Sequence, residues 1–367
     1  MVHLSATAVL RTCVHALVLA GTALGYTELS DDRLKQIDLD PADFDIHNKA
    51  GLLAPLLITR VPGTDGQVVA QHHFVNFFAS QLPSWKISWQ NSTGTTPATG
   101  SREIPFQNII IKREPQWCLD REGSCGLLTL VAHYDSKIAP AGFIGATDSA
   151  APCAMLMYAA RAIDGQLTKL WANMEKSGEK TNVGVQIILL DGEEAFLSWT
   201  ATDSLYGSRA LTTQWEGSPL PGISTYHDPM DQISLFVLLD LLGSAEPSVP
   251  SYFQSTHWAY QRMAQIEKRM RDLGALEAKP KRQFLHDHDK KASSFSQSWI
   301  SDDHEPFMHK GVPILHIITS PFPRVWHTMD DDGEHLDMPT VHDWAKITLA
   351  FTMEWMDLMK VSPTPRD

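Results

Sequence analysis

The chain alternates between two hydrophobic rhythms. Val69, Phe74, Phe77 and Phe78 recur at helical spacing and predict a helix over 68–82. Trp85-Lys86-Ile87-Ser88-Trp89 alternates, which predicts a strand, and 108–111 and 127–133 are apolar enough for two more. Helical spacing returns over 149–164, with Asp148 and Ser149 placed to cap its start. Val185 to Leu190 is a short continuous apolar run of the kind buried on both faces of a sheet, and 233–239 and 312–318 look the same. Between them lies an amphipathic helix over 256–273, with Lys268, Arg269 and Arg271 near its end as the macrodipole favours. The last helix is predicted over 340–359. Residues 26–66 read as helical or irregular, and the polar stretch 279–298 as a surface loop.

Strands separated by helices imply an α/β fold: a mostly parallel central β-sheet with helices on both faces. No internal repeat or linker interrupts the 367 residues, so 26–367 is expected to be a single catalytic α/β domain.

Composition narrows the class. Apolar residues make up 43% and charged residues 20%, ordinary for a globular protein. A formal charge of −13 disfavours nucleic acid and anionic membranes as partners. After Arg11, the short apolar run Cys13 to Ala20 and the small-residue stretch Gly21 to Gly25 have the layout of a secretory signal over 1–25. That run is too short for a comfortable membrane span. The expected location is therefore the secretory pathway or outside the cell, with no membrane partner after signal removal. Asn91-Ser92-Thr93, in a Ser/Thr/Gly-rich stretch read as a loop, is a glycosylation sequon consistent with export. Cys13 leaves with the signal, Cys118 and Cys125 flank a loop that a disulfide could close, and Cys153 remains as a buried thiol.

The candidate chemistry gathers at strand ends. His133-Tyr134-Asp135, Asp191-Gly192-Glu193-Glu194 and Asp240 each follow a predicted strand, and His327 lies in a loop after another. Ligands of open α/β sheets bind outside those ends, so these distant residues are expected to converge. Asp148, Glu194 and His327 give an oxygen and nitrogen donor set suited to a catalytic Zn²⁺ with an open position. Glu193, beside a ligand, is placed to shuttle a proton. His133 and Asp240 could add a second metal, and spacing leaves one zinc or two open. Taken singly, Asp148 could be an N-cap and His327 a solvated loop histidine.

Longer strings make the pattern specific: His133-Tyr-Asp-Ser-Lys137, Gly145-Ala-Thr-Asp-Ser-Ala150, Asp191-Gly-Glu-Glu-Ala-Phe196, Asp203-Ser-Leu-Tyr-Gly-Ser-Arg209, Leu238-Leu-Asp-Leu-Leu-Gly243, Asp302-Asp-His304, Pro306-Phe307, and Ser320-Pro-Phe-Pro-Arg-Val-Trp-His-Thr-Met-Asp330. In this order, over roughly residues 65–360, the chain resembles the animal-type glutaminyl-peptide cyclotransferases, relatives of zinc aminopeptidases. The resemblance implies one zinc per chain on Asp148, Glu194 and His327, with Glu193 as general acid/base. It implies that Asp240 and Asp302 hydrogen-bond around the reacting amide. Trp199, Phe322 and Trp326 would wall the substrate pocket, with His316 close by. The implied reaction converts the N-terminal glutamine of a peptide or protein to pyroglutamate with loss of ammonia, in a monomeric enzyme. The chain departs from the family in two places: Ala132 stands where a cysteine often bridges to the position of Cys153, and loop 136–144 is shorter than in vertebrate members.

Two other functions use parts of the same pattern. A secreted di-zinc aminopeptidase would use the same residues with a water nucleophile, and the aromatic-proline segment around His327 argues against it. An inactive ectodomain serving as a receptor would be expected to have lost ligands or the general base, and all are present.

Overall fold

The computed structural model describes residues 27–296 and 299–362. The expected signal over 1–25, with Cys13, lies outside the described residues. Short helices at Asp31–Lys35 and Pro41–Phe44 occupy the irregular N-terminal stretch. Five longer helices follow: α1 (Asp65–Gln81), α2 (Ala151–Ser177), α3 (Tyr206–Glu216), α4 (His257–Asp272) and α5 (Met338–Trp355). The strands are β1 (Lys86–Gly94), β2 (Ile104–Arg113), β3 (Gly126–His133), β4 (Val183–Leu190), β5 (Ile233–Asp240) and β6 (Ile314–Ile318).

They form one six-stranded sheet in the order β1-β2-β4-β3-β5-β6. The pairs β3/β4, β3/β5 and β5/β6 are parallel, and β1/β2 and β2/β4 are antiparallel. Alternate residues of each central strand serve opposite faces. Leu128, Leu130, Val185, Ile187, Leu189, Val237 and Ile317 face a core with α1, α2, α4 and α5. Val131, Ile188, Leu190, Phe236 and Ile314 face a smaller core with Leu211 and Trp215 of α3 and with Phe307. All eight residues of β3 are buried, which explains its unbroken apolar sequence.

Several elements run beyond their sequence limits. The helix expected over 149–164 continues to Ser177, because Leu167, Leu170 and Trp171 extend its apolar stripe, and it ends at Gly178. The sequon corrects a reading: Asn91 lies in β1, not in a loop. Pairing with β2 in the register Asn91↔Gln107 supplies backbone partners that a Ser/Thr/Gly-rich composition does not advertise. Over 279–296 the polar stretch is irregular and largely exposed. It is nonetheless pinned at Phe284 and Leu285, both buried, whose N–H groups donate to the Glu267 carboxylate at 2.8 and 2.9 Å. Cys118 and Cys125 are bridged by a disulfide, and Cys153 is a buried free thiol. Among the described residues no helix is long and apolar enough to cross a membrane.

Candidate metal centre

The parallel strands β3, β4 and β5 end side by side, and the turns that follow them carry the acids. After β4 the chain reverses through Gly192 at φ +68°, where an added Cβ would lie 2.4 Å from the Phe106 ring, so the turn requires glycine. Asp135, just past β3, grips that turn. Its Oδ1 accepts the Glu193 N–H at 3.1 Å and its Oδ2 accepts the Glu194 N–H at 3.2 Å. The two adjacent glutamates are thus fixed from the neighbouring strand end.

Asp148 lies in the turn before α2 but caps nothing; the helix starts at Ala151 without a side-chain cap. Its carboxylate faces the other strand ends instead. His327 sits in a loop after β6 with φ +56°, uncommon for a residue other than glycine. Its Nε2 lies 3.2 Å from Glu194 Oε1 and 3.5 Å from Asp148 Oδ2. One atom from each of Asp148, Glu194 and His327 falls within a 4.8 Å group.

Hydrogen bonding marks where a cation fits. Asp148 Oδ2 and Glu194 Oε1 are buried and accept no hydrogen bond, an arrangement that is costly unless a positive charge lies between them. Burial resists charging of His327, yet Asp148 and Glu194 outweigh it and raise that imidazole to about 9. In other words, the pair of carboxylates pulls in any positive charge within reach. The other oxygens are satisfied: Asp148 Oδ1 bonds His133 Nε2 at 3.0 Å, and Glu194 Oε2 accepts from Lys137 Nζ at 3.3 Å. The donor set, one imidazole and two carboxylates, is one that zinc accepts.

A second group lies alongside. His133 Nε2 is 3.4 Å from Asp240 Oδ1 as well as being bonded to Asp148, and these three residues could also hold an ion. Burial works against charging His133, but Asp135, Asp148 and Asp240 hold it well above the usual histidine range. Asp240 Oδ1 also accepts the Leu241 N–H at 2.8 Å and the Ser149 hydroxyl. Burial, with Asp302 next, pushes Asp240 up to about 6.

Glu193 is buried beside the first group. Burial pushes its carboxyl well above the ordinary range; His133 opposes this, and Glu194, Asp302 and Asp303 reinforce it. Asp302 is buried and bonds His316 Nε2 at 2.7 Å through Oδ2. His316 is itself buried, its ring 4.4 Å from that of His304. The aromatic candidates are more open. Trp326 is 38% exposed, stacks on His327 at 4.0 Å and meets Phe322 at 4.6 Å. Trp199 is 40% exposed and donates from Nε1 to Ser301 Oγ at 3.1 Å, next to Asp302 in sequence.

Two supporting residues carried no sequence signal of their own. Arg60 is fully buried, and its guanidinium donates to the carbonyls of Leu56, Ile58, Tyr134, Asp135, Ile144 and Gly145. It joins the segments that lead to Asp135 and Asp148. Asp331 Oδ1 accepts both the N–H and the hydroxyl of Thr147, beside Asp148. Asp331 stands in the acidic run Asp330-Asp331-Asp332, and it is buried.

Comparison with known proteins gives the family of the fold. The model of peptidase family M28 matches residues 117–352. The glutaminyl-peptide cyclotransferase of Gloydius blomhoffii is 38% identical over 315 residues, 83% of this chain and 80% of the relative. The crystal structure of Macrostomum lignano glutaminyl cyclase superposes with a TM-score of 0.74 at 27% identity, covering 92% of this chain and 96% of that one. A leucine aminopeptidase precursor from Bacteroides thetaiotaomicron shares the fold, at 17% identity and a TM-score of 0.56 over 89% of this chain and 97% of its own.

Proposed function

Because the chain belongs to peptidase family M28 and, within that fold, to the glutaminyl-peptide cyclotransferases, we propose that it cyclises the N-terminal glutamine of peptides and proteins to pyroglutamate. One zinc ion would be held by Asp148, Glu194 and His327, supplying Lewis acidity toward the γ-carboxamide oxygen. The observation that carries this reading is the pair of buried, unpartnered oxygens on Asp148 and Glu194 facing His327 Nε2.

The substrate's own α-amine attacks its γ-carboxamide carbon. A ring C–N bond forms, the bond to the amide nitrogen breaks, and ammonia leaves. Glu193 takes the proton from the attacking amine and delivers it to the departing nitrogen, work suited to a carboxyl that burial holds above the ordinary range. Asp240 and Asp302 orient the amine and the leaving nitrogen, and His316 holds Asp302 in place. Trp199, Phe322 and Trp326 wall the pocket and fold the glutamine side chain back on itself. Nucleophile and electrophile share one molecule, so correct folding gives a high effective molarity and makes an activated water unnecessary.

Routing through the secretory pathway is part of the proposal, supported by the Cys118–Cys125 disulfide. So is action as a monomer.

The His133–Asp148–Asp240 group favours a second reading, a di-zinc aminopeptidase. The first reading gains because Asp148 Oδ1 is already satisfied by His133, whereas Oδ2 is not. Mass spectrometry of two peptides separates them. The cyclase reading expects ammonia loss from a Gln-initiated peptide and an intact Leu-initiated one; trimming of the latter overturns it.

A further inference from the structure

We propose that Asn91 carries an N-linked glycan whose first sugar packs against the exposed ring of Trp89. Asn91-Ser92-Thr93 is the one Asn-x-Ser/Thr sequence in the chain. It lies on β1, the terminal strand of the sheet, paired on one side only with β2. Asn91 and Thr93 are both exposed. Asn91 Oδ1 accepts from Gln107 Nε2 at 3.2 Å, while Nδ2, the atom a glycan would occupy, makes no hydrogen bond among the described residues.

Trp89 supplies the second observation. Strand alternation puts Trp89, Asn91 and Thr93 on one face. Trp89 stands opposite Ile109, a core residue, yet remains 39% exposed. A large aromatic left open on a sheet edge invites association with another strand or chain. A sugar on Asn91, two residues along the same face, would cover it. The C–H-rich face of N-acetylglucosamine carries partial positive charge and complements the negative π face of indole. The glycan would also obstruct the open edge of β1.

The transfer balances with a lipid-pyrophosphate-linked oligosaccharide as donor. Asn91 Nδ2 bonds to the anomeric carbon, the bond from that carbon to pyrophosphate oxygen breaks, and lipid pyrophosphate leaves with the electron pair. The amide proton passes to a base. Such donors face the lumen of the secretory pathway, so modification of the natural chain rests on the routing proposed above.

The test keeps the two claims apart. The full chain is produced in a eukaryotic secretory host twice, once with its own N-terminus and once with a strong export signal ahead of Met1. Intact mass is read before and after peptide N-glycosidase. One glycan is expected in both, absent from Asn91→Gln, with Asn91 converted to Asp on release. A glycan in the second form alone supports the site and overturns the routing; none in either overturns the site. The contact with Trp89 is read from melting. Removing the glycan should lower the Tm of the wild type by about 2 °C and leave that of Trp89→Ala unchanged. An equal shift in both proteins, or none in the wild type, overturns the contact.

Discussion

Asp331 Oδ1 accepts two hydrogen bonds from Thr147, from the N–H at 2.7 Å and from the hydroxyl at 2.9 Å. The Ala146 N–H donates a third bond, to the Asp331 carbonyl, at 3.0 Å. Through this pair, the segment bearing His327 is tied to the turn bearing Asp148, although the two proposed ligands lie 179 positions apart in the sequence. Groups that orient ligands without touching the metal commonly change affinity roughly 10–100-fold. Asp331→Ala is therefore expected to weaken zinc binding by roughly that factor in a chelator competition, with far-UV circular dichroism unchanged. Wild-type affinity in that variant would mean the two segments find their places independently.

Arg60 makes a different prediction because its guanidinium serves only backbone carbonyls. Arg60→Met leaves up to six of them without that donor in the interior. Each unsatisfied group costs about 1–3 kcal/mol, and water entering the gap would recover part of that. A loss of about 4 kcal/mol or more in urea unfolding is expected, and a loss below about 1 kcal/mol would show that the carbonyls are readily rehydrated.

Glu193 and Glu194 are neighbours with separate proposed jobs, which a single substitution can divide. Glu193→Gln should lower kcat by roughly 10²–10⁴ while zinc content stays at the wild-type level. Loss of zinc from that variant would place Glu193 among the ligands.

Trp326 stacks on His327 while keeping more than a third of its surface open. Trp326→Ala is expected to raise KM and to lower kcat/KM on a Gln-initiated peptide. Unchanged kinetics would make the ring a packing element only.

The loop carrying Trp199 should respond to acid in a defined direction. The Asp203 carboxylate accepts the N–H groups of Phe196, Leu197 and Ser198 at 2.9–3.0 Å and the Tyr206 hydroxyl at 2.8 Å. Burial pushes Asp203 up, but those bonds outweigh it and hold the carboxyl below its usual range. A depressed carboxylate stabilises the loop above the unfolded value of about 3.9, and that contribution is lost as pH falls through the lower folded value. Amide exchange at Leu197 and Ser198 should be slow in the wild type and faster in Asp203→Asn when both are measured near neutral pH. The two proteins should converge only under acid below the ordinary aspartate range. Equal protection near pH 7 would contradict this.

The sheet was legible because its strands are buried on both faces. Val185 to Leu190 and 127–133 could hardly be anything but core, and parallel order placed the acids at one end. The edge was less legible. β1 runs to Gly94 through Asn91, Ser92 and Gly94, which are poor strand formers, held there by pairing with β2. The ligand candidates stood out as carboxylates and a histidine at strand ends. Their supports did not, since a lone arginine at position 60 carries no pattern. Asp331 looks like any member of an acidic run until Thr147 is found against it. Contacts made across nearly two hundred residues leave no periodicity to read.

The central claim is one zinc at one place. Anomalous diffraction at the zinc edge, from crystals of the protein purified with its metal, tests it directly. A single peak lying between Asp148, Glu194 and His327 is predicted. A second peak between His133 and Asp240, or density nowhere near His327, would contradict the account.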